Sequence, residues 1–462
     1  MGDVTTPQAS ALAQPQFWTL DRVADALGTG PRGGFRLARI ATDTRSVGAG
    51  DAFVALQGEN FDAHDFLADA VKKGASALIV SDVSRANGLG VPVYAVRDTT
   101  EALGALGRHR RRAWAKPVIG VVGTNGKTST KELIRAALGG ALRVHATVGN
   151  YNNLVGVPLT LFALPDDADI AVIEMGTNQP GEVASLRAIV EPDIVVVTSI
   201  AEEHLEGLGD LEGVLREEVS ACQGVPLAIV PASQPEILAA ARPLARRAMS
   251  TGLDSGDLRP DAWGVEPDGQ GWVRIDEVRV RIPLRGVHNL RNAMLALAVA
   301  RERGVSMQDA ARSLAIMPAP PMRVHFEACG AATVINDAYN SNPGSARVAL
   351  ELLEHAGAGR QRVAILGTML ELGVQADRLH DEVARAALAS PIELVVGVGA
   401  FADALARVAS GDPRVASGAE PDSAWSAVRS RLAPDAIILL KGSRGVRLER
   451  LIPVISEWAS AR

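Results

Sequence analysis

The spacing of apolar positions divides the chain into successive regions. Leu20, Val23, Ala24 and Leu27 recur at helical spacing behind Thr19, whose hydroxyl can cap a helix, and the run stops at Gly28. Beyond it, Ala52 to Leu56 is a short continuous apolar run closed by Gln57 and Gly58, and Ala75 to Val80 is another; both read as buried strands. These elements predict a small α/β domain over residues 17–114, preceded by a disordered tail at 1–16. The basic stretch Arg108 to Arg112 reads as a solvated helix end ahead of a linker.

A new pattern starts at Pro117. Val118 to Val122 is continuously apolar and runs straight into Gly123-Thr124-Asn125-Gly126-Lys127-Thr128, after which Leu133, Ile134, Ala137 and Leu138 mark a helix. Ile170 to Ile173 and Ile194 to Val197 are again short and continuously apolar, as strands of a parallel sheet covered on both faces must be. Strands alternating with helices predict a doubly wound, mostly parallel central sheet within residues 115–318. Toward the end of that region the period becomes two: after a turn at 267–271, Val278, Val280 and Ile282 alternate with Arg279 and Arg281, as antiparallel strands appended to the sheet would. A helix over Asn292 to Arg301 precedes Pro318-Ala319-Pro320-Pro321, a stiff connector that can be neither helix nor central strand. Strands at Val363 to Leu366, Leu394 to Val398 and Ala436 to Leu440 then predict a third α/β domain over 319–462.

Length agrees with this division, because 462 residues exceed what one core organises. A net charge of -6 argues against nonspecific nucleic-acid binding, which requires dense positive charge, so any phosphate must be gripped locally. The two cysteines, Cys222 and Cys329, lie far apart and without metal-ligand spacing, which points to a reducing compartment. No apolar run reaches the roughly 18 residues of a membrane span, and the N-terminus lacks a basic segment followed by an apolar one. A cytoplasmic monomer without membrane insertion is expected.

The strand, the glycine-bearing loop ending Gly126-Lys127-Thr128 and the following helix together form an anion site. Backbone N–H groups and the helix dipole face a phosphate, Lys127 adds charge, and the Thr128 hydroxyl can ligate Mg²⁺. The common loop carries a glycine five positions before Gly126; here Val121 stands there and the first glycine is Gly123, so the loop is a shorter variant.

In this form the loop resembles the nucleotide loop of the Mur ligases. The resemblance extends over nearly the whole chain: Thr42-Asp43-Thr44-Arg45 and the segment from Gly50 to Phe66; Gly149-Asn150-Tyr151-Asn152-Asn153; Glu174-Met175-Gly176; His204-Leu205-Glu206-Gly207; Gly286 to Ala293; Asp337-Ala338-Tyr339-Asn340-Ser341-Asn342-Pro343; Met369-Leu370-Glu371-Leu372-Gly373; and Lys441-Gly442-Ser443-Arg444. The Asp337 to Pro343 and Met369 to Gly373 motifs are similar to those of the family member that adds a dipeptide. The resemblance implies an N-terminal UDP-sugar-binding domain, a central ATP-binding domain and a Rossmann-like C-terminal domain. It implies ATP-dependent joining of D-alanyl-D-alanine to UDP-N-acetylmuramoyl-tripeptide through an acyl phosphate, in cell-wall precursor synthesis.

The same resemblance implies roles for single residues. Gly123, Thr124, Asn125, Gly126, Lys127, Thr128 and Ser129 would hold the ATP phosphates, with Asn289, Asn292, Arg323 and Asp337 reaching the rest of the nucleotide. Lys127, Glu174 and His204 would serve the chemistry, Thr128 and Glu174 holding Mg²⁺ and His204 a second metal. Arg45, Ser46, Asn150 and Asn153 would contact the UDP-linked substrate. Such chemistry needs this density of cations and ligands, because it drives a carboxylate against a triphosphate.

One departure bears on the second metal. Many Mur ligases place a CO₂-modified lysine about fourteen residues after the histidine; fourteen residues beyond His204 stands Glu218, and no lysine occurs between Lys131 and Lys441. The expectation is that the Glu218 carboxylate replaces the carbamate as a hard oxygen ligand. Thr368, before Met369, and Gly445, after Arg444, also depart from the family pattern. Two other readings stay open from the residues: another Mur-type or folylpolyglutamate-type amide ligase sharing the central domain, and a nucleotide-binding homologue without turnover.

Overall fold

The computed structural model describes residues 14–58, 61–266, 269–357 and 359–460. The expected tail lies outside the described residues up to residue 13. Gln14, by contrast, is pinned: its side-chain amide donates to the Ile40 carbonyl at 2.9 Å and accepts from the Ile40 N–H at 3.1 Å. The expected turn at 267–271 includes two residues, 267 and 268, that also lie outside the described set.

Helix Leu20–Leu27 forms where the pattern placed it, the Thr19 hydroxyl accepting from the Arg22 N–H and Gly28 taking the left-handed conformation that ends it. It flanks a four-stranded parallel sheet in the order 40–41, 52–54, 77–80, 93–95. The Arg108 to Arg112 stretch departs from expectation. It belongs to helix Thr99–Trp114, and Arg110 and Arg111 are buried rather than solvated. Arg111 donates to the carbonyls of Val190 and Glu191 and to Asp193, tying this helix to the next sheet's covering layer. Charge alone concealed this, because the partners lie about eighty residues away in the chain. Arg111→Ala is expected to cost about 3 kcal/mol by stranding those acceptors, read as a lowered thermal midpoint; an unchanged midpoint would show that the tie is dispensable.

The central sheet has six parallel strands in the order 248–251, 227–231, 194–197, 118–122, 170–174, 144–146. All residues of Val118–Val122, Ile170–Glu174 and Ile194–Val197 are buried, which is why these strands read as continuous apolar runs. The antiparallel sheet 262–265, 270–275, 278–285 is more than an attachment. Val273, Ile275, Val280, Ile282 and Leu284 join one core with Leu290, Met294 and Leu297 of helix Val287–Glu302. That helix starts five residues before the expected Asn292, behind Gly286 at φ 92°, because its first turn carries polar residues that face a cleft and hide the apolar period.

The last sheet runs 325–329, 332–337, 437–441, 362–367, 394–398, 415–418, antiparallel in its first pair and parallel thereafter. In both large sheets the chain winds to either side of a central strand. Ligands in such sheets lodge beyond the carboxyl ends of the strands at that reversal.

Candidate active site

Three neighbouring strand ends of the central sheet build the floor of a cleft. Val118–Val122 delivers the Gly123–Thr128 loop, Ile170–Glu174 ends in Glu174, and Ile194–Val197 continues into Thr198 and Ser199. Gly123 takes φ 115°, and a Cβ there would stand 2.4 Å from the Thr198 hydroxyl and 2.9 Å from the Ser199 carbonyl, so only glycine permits the turn. The Thr124 N–H donates to that Ser199 carbonyl at 2.7 Å. Gly126, at φ 83°, lies against the Asn292 amide and opens helix Lys127–Gly139.

The Lys127 ammonium bends back onto the Gly123 and Thr124 carbonyls at 2.5 and 3.1 Å. The Thr128 hydroxyl donates to both oxygens of Glu174, at 3.2 and 2.9 Å, and the Asn152 amide donates to Glu174 Oε1 at 2.9 Å. Thr128 and Glu174 thus set hard oxygens side by side at the loop, a donor set that suits Mg²⁺.

The opposite wall comes from the last sheet's strand ends. Asp337 and Lys441 close adjacent parallel strands and pair at 2.9 Å, while the Arg323 guanidinium stacks on Tyr339 at 4.3 Å. Between the walls lies a cavity of about 830 Å³. It is lined by Thr124, Asn125, Gly126, Lys127, Thr128, Ser129, Asn150, Asn153, Glu174, His204, Asn289, Asn292, Arg323 and Asp337, all singled out in the sequence. Asn289 spends its amide protons on the Arg285 carbonyl and His288 Nε2, and Asn153 accepts from the N–H groups of Val155 and Gly156, so both are anchored where they face the cleft.

Side-chain hydrogen bonds clasp the two walls across the cleft. His204 Nδ1 hydrogen-bonds the Glu371 carboxylate, and both residues hold left-handed backbones, at φ 53° and 63°. Such conformations in non-glycine residues persist where the surroundings enforce them. Burial acts to lower the His204 pKa, but the Glu371 hydrogen bond and the Glu203 charge outweigh it and raise it above the ordinary histidine value. Asn125 and Asn342 exchange amide hydrogen bonds at 3.2 and 2.8 Å. Asn342 cannot turn over, because its Oδ1 also accepts from the Ser345 N–H as the cap of helix Pro343–Ala356. Asn342→Asp keeps that cap but sets a carboxylate oxygen against Asn125 Oδ1. It should lower kcat/KM about tenfold, roughly 1.4 kcal/mol, and the loss should vanish in an Asn125→Ala background; equal losses in both backgrounds would dismiss the coupling.

Arg45, Ser46 and Glu218 do not line the cavity. Arg45 is exposed and paired with Asp43 at 2.7 Å, and the Ser46 hydroxyl donates to the Asp43 carbonyl. Glu218, expected as a direct metal ligand, is turned under the loop: it is 2% exposed, and its Oε2 accepts from the Gly123 N–H at 2.8 Å. Burial pushes its carboxyl pKa up, against the opposing influence of Lys127 and the Gly123 N–H. Among the described residues, no three of His, Cys, Asp and Glu gather as a preformed metal cluster. Thr368 accepts from the Ala400 N–H and so caps a helix instead of facing the cleft. Glu203, Asn340, Asn342 and Glu371 line or bridge the cleft without having been assigned roles; their signal was their position inside or beside the quoted motifs.

The family model described as Mur ligase family, catalytic domain, matches residues 36–111, Mur ligase middle domain matches 121–300, and Mur ligase, glutamate ligase domain, matches 322–444. The chain is 32% identical to the UDP-N-acetylmuramoyl-tripeptide--D-alanyl-D-alanine ligase of Bacillus subtilis (strain 168), over 90% of this chain and 93% of that protein. It is also 32% identical to the ligase of the same name from Escherichia coli (strain K12), over 95% and 98%. A crystal structure of MurF from Acinetobacter baumannii superposes with a TM-score of 0.88 at 30% identity, covering 96% of this chain and all of that one.

Proposed function

The chain belongs to the Mur ligase family, and from that premise we propose how its cleft joins D-alanyl-D-alanine to UDP-N-acetylmuramoyl-tripeptide at the expense of ATP. The observation that carries the reading is that the phosphate loop and Glu174 at the edge of one sheet, and Arg323, Asp337 and Lys441 at the edge of another, face one cavity. A triphosphate seated on the N-terminus of helix Lys127–Gly139 meets backbone N–H groups and the Lys127 ammonium, which leaves the Gly123 and Thr124 carbonyls to bind it. Mg²⁺ held by Thr128 and Glu174 would neutralise phosphate charge in the transfer.

The tripeptide's terminal carboxylate oxygen attacks the γ-phosphorus, and the bond to the β-phosphate oxygen breaks to leave ADP. The free amine of D-alanyl-D-alanine then attacks the acyl carbon, phosphate leaves with the bonding pair, and the nitrogen loses a proton. Lys127 meets the charge that builds on the transferring group, and Asn150 and Asn153 orient the tripeptide from the same cavity. Arg45, exposed on the first domain, is free to leave Asp43 for a pyrophosphate, with Ser46 beside it; these two hold the UDP end. Arg323, Asp337, Asn289 and Asn292 position the nucleotide.

The test supplies ATP, Mg²⁺ and UDP-N-acetylmuramoyl-tripeptide and compares phosphate release with D-alanyl-D-alanine, with single amino acids and with no acceptor. Release is expected to rise with the dipeptide; equal release in all three would overturn the reading.

A further inference from the structure

We propose that Glu203, not Glu218, supplies the carboxylate oxygen of a second divalent-cation site together with His204. The proposal rests on the ligase reading above, and His204 lines the same cavity as the Gly123–Thr128 loop and Glu174.

Glu203 lines the cavity at 7% exposure. Its Oε1 accepts from the Asn340 amide at 2.7 Å, whereas Oε2 is buried and has no hydrogen-bond partner. A carboxyl oxygen kept from water and left without a partner is costly, so this atom is poised for a cation that arrives with the substrates. The nearest candidate co-ligand is His204 Nε2, 3.9 Å from Oε2. Ligand atoms about 2.1 Å from one ion stand at most about 4.2 Å apart, so both can bind the same ion. His204 is prepared for that role: Nδ1 is committed to Glu371, which leaves Nε2 as the ring nitrogen available to an ion.

The supports of both ligands come from the facing domain, Asn340 behind Glu203 and Glu371 behind His204. The pair of ligands is therefore oriented only when the two walls are together. With two protein ligands, the remaining positions would be open to substrate oxygens and water. Glu218 lacks these attributes, because its Oε2 is engaged by the Gly123 N–H and it does not line the cavity.

Mn²⁺ is the probe, its free fraction read by electron paramagnetic resonance. The wild-type enzyme is titrated with a β,γ-methylene ATP analogue and UDP-N-acetylmuramoyl-tripeptide both present. Two Mn²⁺ per chain are expected. Glu203→Gln should keep one and weaken the other at least tenfold, Glu203→Asp should fall between, and Glu218→Gln should keep two. Equal thermal midpoints across the series separate ligand loss from misfolding, and a destabilised Glu203→Gln leaves the decision to Glu203→Asp, which must then show the weakened site. Two unaltered sites in the Glu203 variants, loss of a site in Glu218→Gln, or a single site in the wild type would each overturn the proposal. Acceptor-dependent phosphate release, measured on the same wild-type preparation, tests the ligase reading separately, so either can fail while the other stands.

Discussion

Lys127→Met is expected to lower kcat/KM for acceptor-dependent phosphate release about a thousandfold while leaving the protein folded. The side chain sits at the first position of helix Lys127–Gly139, where the proposed reading seats the phosphates, and its ammonium already lies over the loop, on the Gly123 and Thr124 carbonyls. In that reading, negative charge concentrates there as a carboxylate approaches the triphosphate. The other cations of the cleft, Arg291, Arg323, Lys441 and Arg444, stand on separate elements, and Lys441 is committed to Asp337 and the Asn340 carbonyl. Methionine preserves the stem's packing, so the loss should appear in turnover and not in the thermal midpoint. Lys127→Arg should not rescue, because a planar fork cannot replace a compact ammonium folded into a tight loop. A loss of less than tenfold would mean that the phosphates do not lie on this loop.

Glu174→Gln should reduce turnover by about a hundredfold and move the Mg²⁺ requirement to higher concentration. Glu174 is 2% exposed at the end of a buried strand, and its two oxygens accept from the Thr128 hydroxyl and the Asn152 amide. The glutamine variant retains one acceptor oxygen. Its amide donor must then face either the Thr128 hydroxyl or the Asn152 amide, and the negative charge available to a cation is gone. The Mg²⁺ dependence of phosphate release is the measurement that matters, since a merely structural role for Glu174 would depress the rate without shifting it. An unchanged rate and Mg²⁺ requirement would remove Glu174 from the site.

The strands and the loop were legible because each is a local signal. Val118 to Val122 is apolar at every other feature's expense, since both faces of its sheet are covered, and Gly123 and Gly126 mark the positive φ values that the loop needs. The helix beginning at Val287 was placed late for the converse reason: Asn289 and Asn292 are buried polar residues serving a cleft, and they interrupt the apolar period. The burial of Arg110 and Arg111 is not legible in the sequence, because it depends on acceptors that the neighbouring residues do not contain.

The order of apolar and polar residues by itself determined three α/β regions, a short glycine-bearing loop ending in a lysine and a threonine, and an acidic residue at the end of a later buried strand. Those features arise from backbone period and from residues adjacent in the chain. Only the tertiary structure decided which side of the loop each carboxylate occupies. Glu218, at the position where family spacing led one to expect a metal ligand, faces the underside of the loop and its Gly123 N–H, while Glu203 opens into the cavity with an unpartnered oxygen. The orientation of those side chains depends on helix packing and on partners more than a hundred residues away, Asn340 for Glu203 and Glu371 for His204. Spacing along a chain fixes neither, because a side chain's direction is set by what surrounds it after the domains have met.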